Sequence, residues 1–420
     1  MIKEFKFSST NLLLTFGVAA FIFNTITRMS IYELTGLNPG KFIAYGDGIN
    51  FLAIFCVIGI LLLNMRRPPY MISILVLFLY SLGIIISNSH NKTGLMVYFT
   101  SVLPAFILLC VRFRKIDVNK IFISFLKIYN IVIILVLSFG IIDFFLKGTI
   151  NQFIADYMST ESWGNMIRKE NSVYGFRMIT VMGSPLMNAF YAMVFLVLNN
   201  IYETTYHKKL LNKYFVYSFA IIAIALTGSR SALVLALIYI ICAELVGRIK
   251  IFEIIVILGL LISIFNTSLF ESTVYSRFQL GFFNETDARS LVLQNFMANR
   301  YGDFGILSGG GYNYSRELTA TLPGSTLNFE YPLLMFLFDN GAMVTLAYYF
   351  FIIGLPVYSL LRMKKFKYLF GYLILAVYLN TFNVIAQYYD FNLALAFLQV
   401  LLIWLAKEKS NKNKVISKGQ

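Results

Sequence analysis

Residues 11–27 read NLLLTFGVAAFIFNTIT, an apolar run broken only by Asn, Thr and Gly. Wound as a helix at ~1.5 Å per residue, such a run approaches the ~30 Å of a bilayer's hydrocarbon core. No small-residue cleavage site follows it, so the expectation is a retained span rather than a signal peptide. Runs of similar length recur along all 420 residues. The composition agrees: 58% of the residues are hydrophobic, 17% aromatic and only 13% charged. A soluble domain carries about 25% charged residues, so the solvent for most of this surface is lipid.

The expected fold is an all-α polytopic membrane protein, a single domain over residues 1–420 with about twelve transmembrane helices. The spans are drawn at 11–29, 46–64, 70–87, 94–111, 121–146, 177–199, 210–227, 231–247, 251–269, 331–356, 369–387 and 391–406. Two long connections remain, at about 147–176 and 270–330.

Charge gives the orientation. Placing alternate loops on opposite sides puts about two thirds of the 35 Lys and Arg on one side, in short turns such as Arg66-Arg67, Arg112 to Lys120, Lys208 to Lys213 and Arg362 to Lys367, and in the Lys-rich tail. Acidic residues are sparse there: Glu4, Asp117, Glu203, Glu244, Glu253 and Glu408. The positive-inside rule makes that side cytoplasmic, with both termini inside and both long loops outside. The net charge of +15 is then a topology signal, with no nucleic-acid partner implied.

Several chemistries find little support. Cys56, Cys110 and Cys242 each fall inside an apolar run without a second thiol nearby, as small buried residues do. The two histidines, His90 and His207, lie far apart, which disfavours a histidine metal site. No P-loop or dinucleotide fingerprint is present, and no cytoplasmic loop is long enough for a nucleotide-binding domain.

Ionisable residues at membrane depth are costly and mark candidate sites, and four places on the expected outer side qualify. The turn Thr227-Gly-Ser-Arg-Ser-Ala232 joins two arms of roughly 17 residues, slightly short of a bilayer, so the turn is expected to be recessed. There Gly228 permits the bend, Ser231 is expected to cap the next helix, and Arg230 beside that helix N-terminus makes an anion site. At the start of the sixth span Arg177 is followed by Gly183, Ser184 and Pro185, which interrupt it.

In the second long loop, residues 288–300 read as an amphipathic helix with Arg289 near its start and Arg300 at its end. Its Gly309, Gly310, Gly311 and Tyr312 form a turn whose N–H groups are expected to approach a phosphate. Last, Glu330 heads the tenth span and Asp339 lies more than two turns deeper. Each is a candidate to stabilise a helix N-terminus, to pair with an arginine, or to act as general base.

These pieces together resemble the O-antigen polymerase and ligase superfamily of bacterial envelope glycan assembly. The resemblance rests on the stretch from Arg177 to Pro185, on Leu-Thr-Gly-Ser-Arg-Ser-Ala-Leu from Leu226 to Leu233, and on the long loop from Arg289 to Leu-Ser-Gly-Gly-Gly at Leu307 to Gly311. The polar-headed stretch from Glu330 to Gly341 follows in the same order, and the whole covers roughly residues 120–390. The resemblance implies a membrane-embedded glycosyltransferase of the broad C type in the bacterial inner membrane, inverting, metal-independent and without a cofactor. It would take an undecaprenyl-pyrophosphate-linked glycan as donor. Arg177, Arg230, Arg289 and Arg300 would grip the pyrophosphate, with Arg230 and Arg289 stabilising the charge that the leaving group gains.

Ligases of this superfamily carry a His-Asn pair where the long loop returns to the membrane. This chain has Asn328-Phe-Glu330 there, which points to a polymerase with Glu330 as the group that activates the acceptor hydroxyl. A polymerase implies a lipid-linked acceptor, surrounding membrane lipid, and a flippase and chain-length regulator as partners. The alternatives are the ligase and, from another class, a lipid-linked oligosaccharide flippase or transporter, against which the long outer loop argues.

Overall fold

The structure is a computed structural model that describes residues 8–22, 48–157, 177–245, 298, 305, 307–321, 331–381 and 391–418. Among them the only extended pairing is one isolated bridge, Thr180 with Gly183; everything else regular is helix. In chain order the helices are α1 Ser9–Ile22, α2 Gly48–Asn64, α3 Met71–Ser87, α4 Lys92–Cys110, α5 Val118–Phe145, α6 Thr149–Tyr157 and α7 Pro185–Tyr206. There follow α8 Lys213–Leu226, α9 Arg230–Leu245, α10 Tyr314–Thr321, α11 Pro332–Arg362, α12 Phe366–Leu379 and α13 Phe391–Lys418.

Five of these, α4, α5, α7, α11 and α13, contain stretches long and apolar enough to cross a membrane. Shorter apolar stretches stand in α1, α2, α3, α8 and α12. The chain is therefore an all-α, membrane-embedded protein. Eleven of the twelve expected spans contain described helix, with two of the helices running on past their expected ends, Pro332–Arg362 and Phe391–Lys418. The span at 251–269 falls outside the described residues. The sixth, expected from residue 177, starts as a helix only at Pro185. Gly183 is left-handed with φ 122°, Ser184 is extended as a residue before proline must be, and Pro185 opens the helix where its missing N–H costs nothing. The first long loop likewise begins as helix α6.

The described residues fall in two compact units. A terminal unit holds those of Met1–Phe23, Pro39–Phe125 and Thr286–Gln420, and a middle unit holds those of Leu126–Glu285.

In the terminal unit α1 packs on α2 and α13, and α3 on α11. Small residues make these approaches close: Gly17 lies under the ring of Phe397 and Gly83 against Val344. Rings fill the rest. Phe106 stacks on Phe351 at 4.5 Å, Phe336 on Tyr348 at 4.1 Å, and Phe125 meets Phe397 edge-on at 4.7 Å. Outward, Phe55, Phe78 and Leu346 stand 69%, 62% and 73% exposed, apolar surface suited only to lipid.

Two helices of this unit widen into a single π turn, α4 at Tyr98–Val102 and α11 at Phe350–Gly354. The second presents the carbonyl of Ile352 to neighbouring helices. It accepts from the Tyr372 hydroxyl at 2.7 Å and from Gln399 Nε2 at 3.4 Å.

In the middle unit α7 is central, and every residue over 188–199 is buried. Its sequence is apolar nearly all round, as a helix enclosed by others must be. One polar exception is paired: Asn130 of α5 and Asn199 of α7 exchange amide hydrogen bonds of 2.9 and 2.8 Å. Tyr129 donates to the Tyr191 carbonyl at 2.9 Å, and Lys213 of α8 meets Glu244 of α9 at 2.5 Å.

Candidate functional site

The middle unit brings two of the sequence-predicted arginines to one turn. Helix α8 ends at Leu226, leaving carbonyls without intrahelical partners. Two of them are taken by the strand-like entry to α7: the Met178 N–H donates to Leu226 O at 2.9 Å, and Arg177 Nε donates to Thr227 O at 2.8 Å. Gly228 then turns the chain with φ 66°, a left-handed value open to glycine at little cost, and its N–H donates to Ala225 O at 2.9 Å.

Helix α9 starts two residues later at Arg230. Its cap is Ser229, whose Oγ accepts from the Ala232 N–H at 3.4 Å. This corrects the expectation for Ser231: the helix starts two residues too early for Ser231 to be its cap, and Ser231 stands inside the first turn. Thr227, Gly228 and Ser229 are buried, whereas Arg177, Arg230 and Ser231 are half-buried. The first arm has 14 residues and is ~21 Å long, shorter than the sequence suggested, and the second is helical over all its described residues, Arg230–Leu245.

A knot of side-chain hydrogen bonds fixes the Arg177 segment. Thr180 Oγ1 donates to Asn188 Oδ1 at 2.5 Å, and Asn188 Nδ2 donates to the carbonyls of Gly183 at 3.0 Å and Ser184 at 3.1 Å. From the other side Asn151 Nδ2 donates to Ile179 O at 2.9 Å and to Asp143 Oδ2 at 2.5 Å. Asp143, buried near the end of α5, also accepts from the Ile150 N–H at 2.8 Å and so tethers the first turn of α6. Asp143 and Asn151 escape the sequence reading. The available signal was a carboxylate inside an apolar run, which lipid makes expensive unless it is held.

The terminal unit holds the glycine turn, and here the structure corrects an expectation. Gly309 donates its N–H to Gly305 O at 2.7 Å, Gly310 to Phe338 O at 2.8 Å, and Gly311 to Asp339 O at 2.8 Å. Tyr312 donates to Asn88 Oδ1 at 2.8 Å. All four N–H groups are thus engaged within the chain and cradle no phosphate.

The acceptors exist because α11 breaks at Gly341, where φ 79° and ψ 170° end the regular ladder and expose the carbonyls of Phe338 and Asp339. The approach is as close as backbone allows: a Cβ on Gly309 would stand 2.5 Å from Gly341 N and 2.6 Å from Asp339 O. Asp339 itself is buried and accepts from the Ser315 N–H at 2.7 Å. Of the roles open to it in sequence, the structure gives it the stabilisation of a helix N-terminus, that of α10. Asn91 Nδ2 donates to Tyr312 O at 3.2 Å and completes the clasp. Asn88 and Asn91 were also missed, as short polar residues in what reads as an ordinary loop.

Arg289, Arg300 and Glu330 lie outside the described residues. What the arrangement offers chemically is a pair of permanently charged side chains flanking a buried turn at a helix N-terminus. Two positive groups and a helix dipole there favour an anion of high charge density, such as a phosphate. No protein-family model, curated protein or solved structure matches the chain.

Proposed function

We propose that the chain is a polysaccharide polymerase that joins undecaprenyl-pyrophosphate-linked repeat units into O-antigen or a related surface glycan on the periplasmic side of the bacterial inner membrane. In this reading about twelve helices span the membrane, both termini are cytoplasmic, and the loops at 147–176 and 270–330 face outward. The observation that carries the reading is the bond from Arg177 to the carbonyl of Thr227, which brings two separated arginine motifs to the same helix N-terminus.

The reaction follows from what such a site stabilises. A hydroxyl of the acceptor repeat attacks the anomeric carbon of the donor from the face opposite the pyrophosphate. The new glycosidic bond forms as the carbon–oxygen bond to pyrophosphate breaks, and its electron pair leaves on the phosphate oxygen. Arg177 and Arg230, with Arg289 and Arg300 from the long loop, hold that oxygen's charge as it grows. Glu330 takes the proton of the attacking hydroxyl. Pyrophosphate is already a good leaving group, so the arginines need only keep it anionic and in line.

The test uses cells that depend on this chain for envelope glycan. Arg230→Ala at unchanged protein level is expected to give glycan that stops at one repeat unit. Full-length glycan from that variant would sink the role. Long lipid-linked polymer left unattached would instead identify a ligase, and repeats trapped on the inner leaflet would identify a flippase.

A further inference from the structure

One cavity of the terminal unit shares no lining residue with the sites described above. It holds about 1090 Å³ and is framed by the start of α3, the end of α4, the last turns of α11 and the charged stretch of α13. Its walls are apolar, with Leu108, Phe350, Leu355 and Val400 among them. Its rim is cationic: Arg112, Arg362, Lys364 and Lys407 line it, and no carboxylate among the described residues does.

None of these four cations makes an ion pair with a described residue; the described ion pairs are elsewhere, at Lys209 and Lys213. Three of them rest on aromatic and hydroxyl groups instead. Arg112 lies 4.4 Å over the Tyr70 ring, Lys407 lies 4.3 Å over Trp404, and Arg362 donates to the Tyr358 hydroxyl at 3.3 Å. Met71 and Ile72, which also line it, are 72% and 70% exposed and carry the apolar wall out to the surface.

Four like charges around one apolar space repel one another unless an anion joins them. An ion without an apolar part would leave most of the cavity unfilled, since pockets of ~300–1,000 Å³ enclose whole organic ligands. Aromatic side chains beside Lys and Arg at helix ends are the arrangement found at the membrane–water interface. We infer that this cavity is a binding site for one anionic phospholipid, its phosphate between Arg112, Arg362 and Lys407 and its acyl chains along the apolar wall. Basic pockets between membrane helices bind such headgroups by the same balance of charge and chain. The inference does not depend on the glycan chemistry.

Trp404 reports on it directly. The chain has two tryptophans, so Trp163→Phe leaves Trp404 as the sole emitter. The full-length protein is reconstituted in phosphatidylcholine containing equal low fractions of phosphatidylglycerol or phosphatidylcholine with brominated acyl chains. Brominated phosphatidylglycerol is expected to quench Trp404 with an apparent affinity about fivefold or more above that of the zwitterionic lipid, the effect of one engaged cation. Adding Arg112→Gln and Lys407→Gln should bring the two lipids level, while Lys209→Gln should not.

Equal quenching in the protein with its cations intact overturns the inference, and that comparison needs no cavity variant to fold. Preference that survives loss of both cations overturns it too, because general attraction to a basic surface would then suffice. Relief of quenching by soluble glycerol 3-phosphate would mean a site for free phosphate compounds and not for lipid.

Discussion

Arg177 donates from Nε to the main-chain carbonyl of Thr227 across a separation of 50 residues, at 2.8 Å. The bond closes the C-terminus of α8 and fixes where the guanidinium stands relative to Arg230, so structure and charge are joined in one side chain. A lysine there keeps the charge but has no Nε in a rigid fork.

Arg177→Lys is therefore expected to lower the melting temperature of the purified protein, by an amount corresponding to about 1.5–3 kcal/mol for a hydrogen bond from a charged group. Melting of Arg177→Lys at the native temperature would remove the capping role and leave charge as its whole contribution.

Gly228 turns the chain at φ 66° between two helices that pack on each other. Gly228→Ala should cost roughly 1–2 kcal/mol from the left-handed backbone, and Gly228→Asn less, because asparagine visits that region more readily. Thermal melts of the two variants against the native protein give the order; alanine tolerated as well as asparagine would contradict the geometry.

Asp339 and Glu330 separate by chemistry. Asp339→Asn keeps an acceptor for the Ser315 N–H, so glycan of full length is expected, whereas Asp339→Ala loses the cap of α10 at a cost of about 0.5–2 kcal/mol. Glu330→Gln should stop the glycan at one repeat. Single-repeat product from Asp339→Asn, with normal melting, would make Asp339 the proton acceptor instead.

Asn130 and Asn199 satisfy each other inside the middle unit. Removing one, as in Asn130→Leu, leaves the Asn199 Oδ1 without its donor while Nδ2 keeps its bond to the Phe195 carbonyl, at a cost of about 1–3 kcal/mol, whereas removing both with Asn199→Leu should recover most of that loss. A double-mutant cycle on melting measures it, and strictly additive losses would show that the pair does not act as one.

Apolar run length made the helices legible in sequence, because lipid permits little else for a chain so poor in charge. The site was legible wherever a residue type is costly at depth: Arg177, Arg230 and Asp339 each stood out for that reason. What stayed hidden was partnership. The glycines at 309–311 suggest an open anion cradle until the break at Gly341 supplies carbonyls for their N–H groups, and a helix break shows only when its tertiary acceptors are known. The cap passed from Ser231 to Ser229 for a similar reason: the start of α9 is set by where α8 stops, and that depends on Arg177 across the unit.

The wide turn at Phe350–Gly354 has a consequence for how α11 tolerates change in length. Such a turn stores one residue beyond the α pitch, so deleting a single residue there lets the helix close into an unbroken spiral. Everything downstream, Leu355–Arg362 included, would keep nearly its present place, because the wide turn already absorbs the extra residue; the same deletion in a regular turn of α11 would swing that end about 100° around the axis and draw it ~1.5 Å along it. Arg362 would stay at the mouth it now lines, while the carbonyl of Ile352, taken back into the helix ladder, would withdraw from Tyr372 and Gln399. The bulge is a local device: it hands one carbonyl to two neighbours, and it is the one stretch of α11 that can lose a residue without re-addressing the helix's ends.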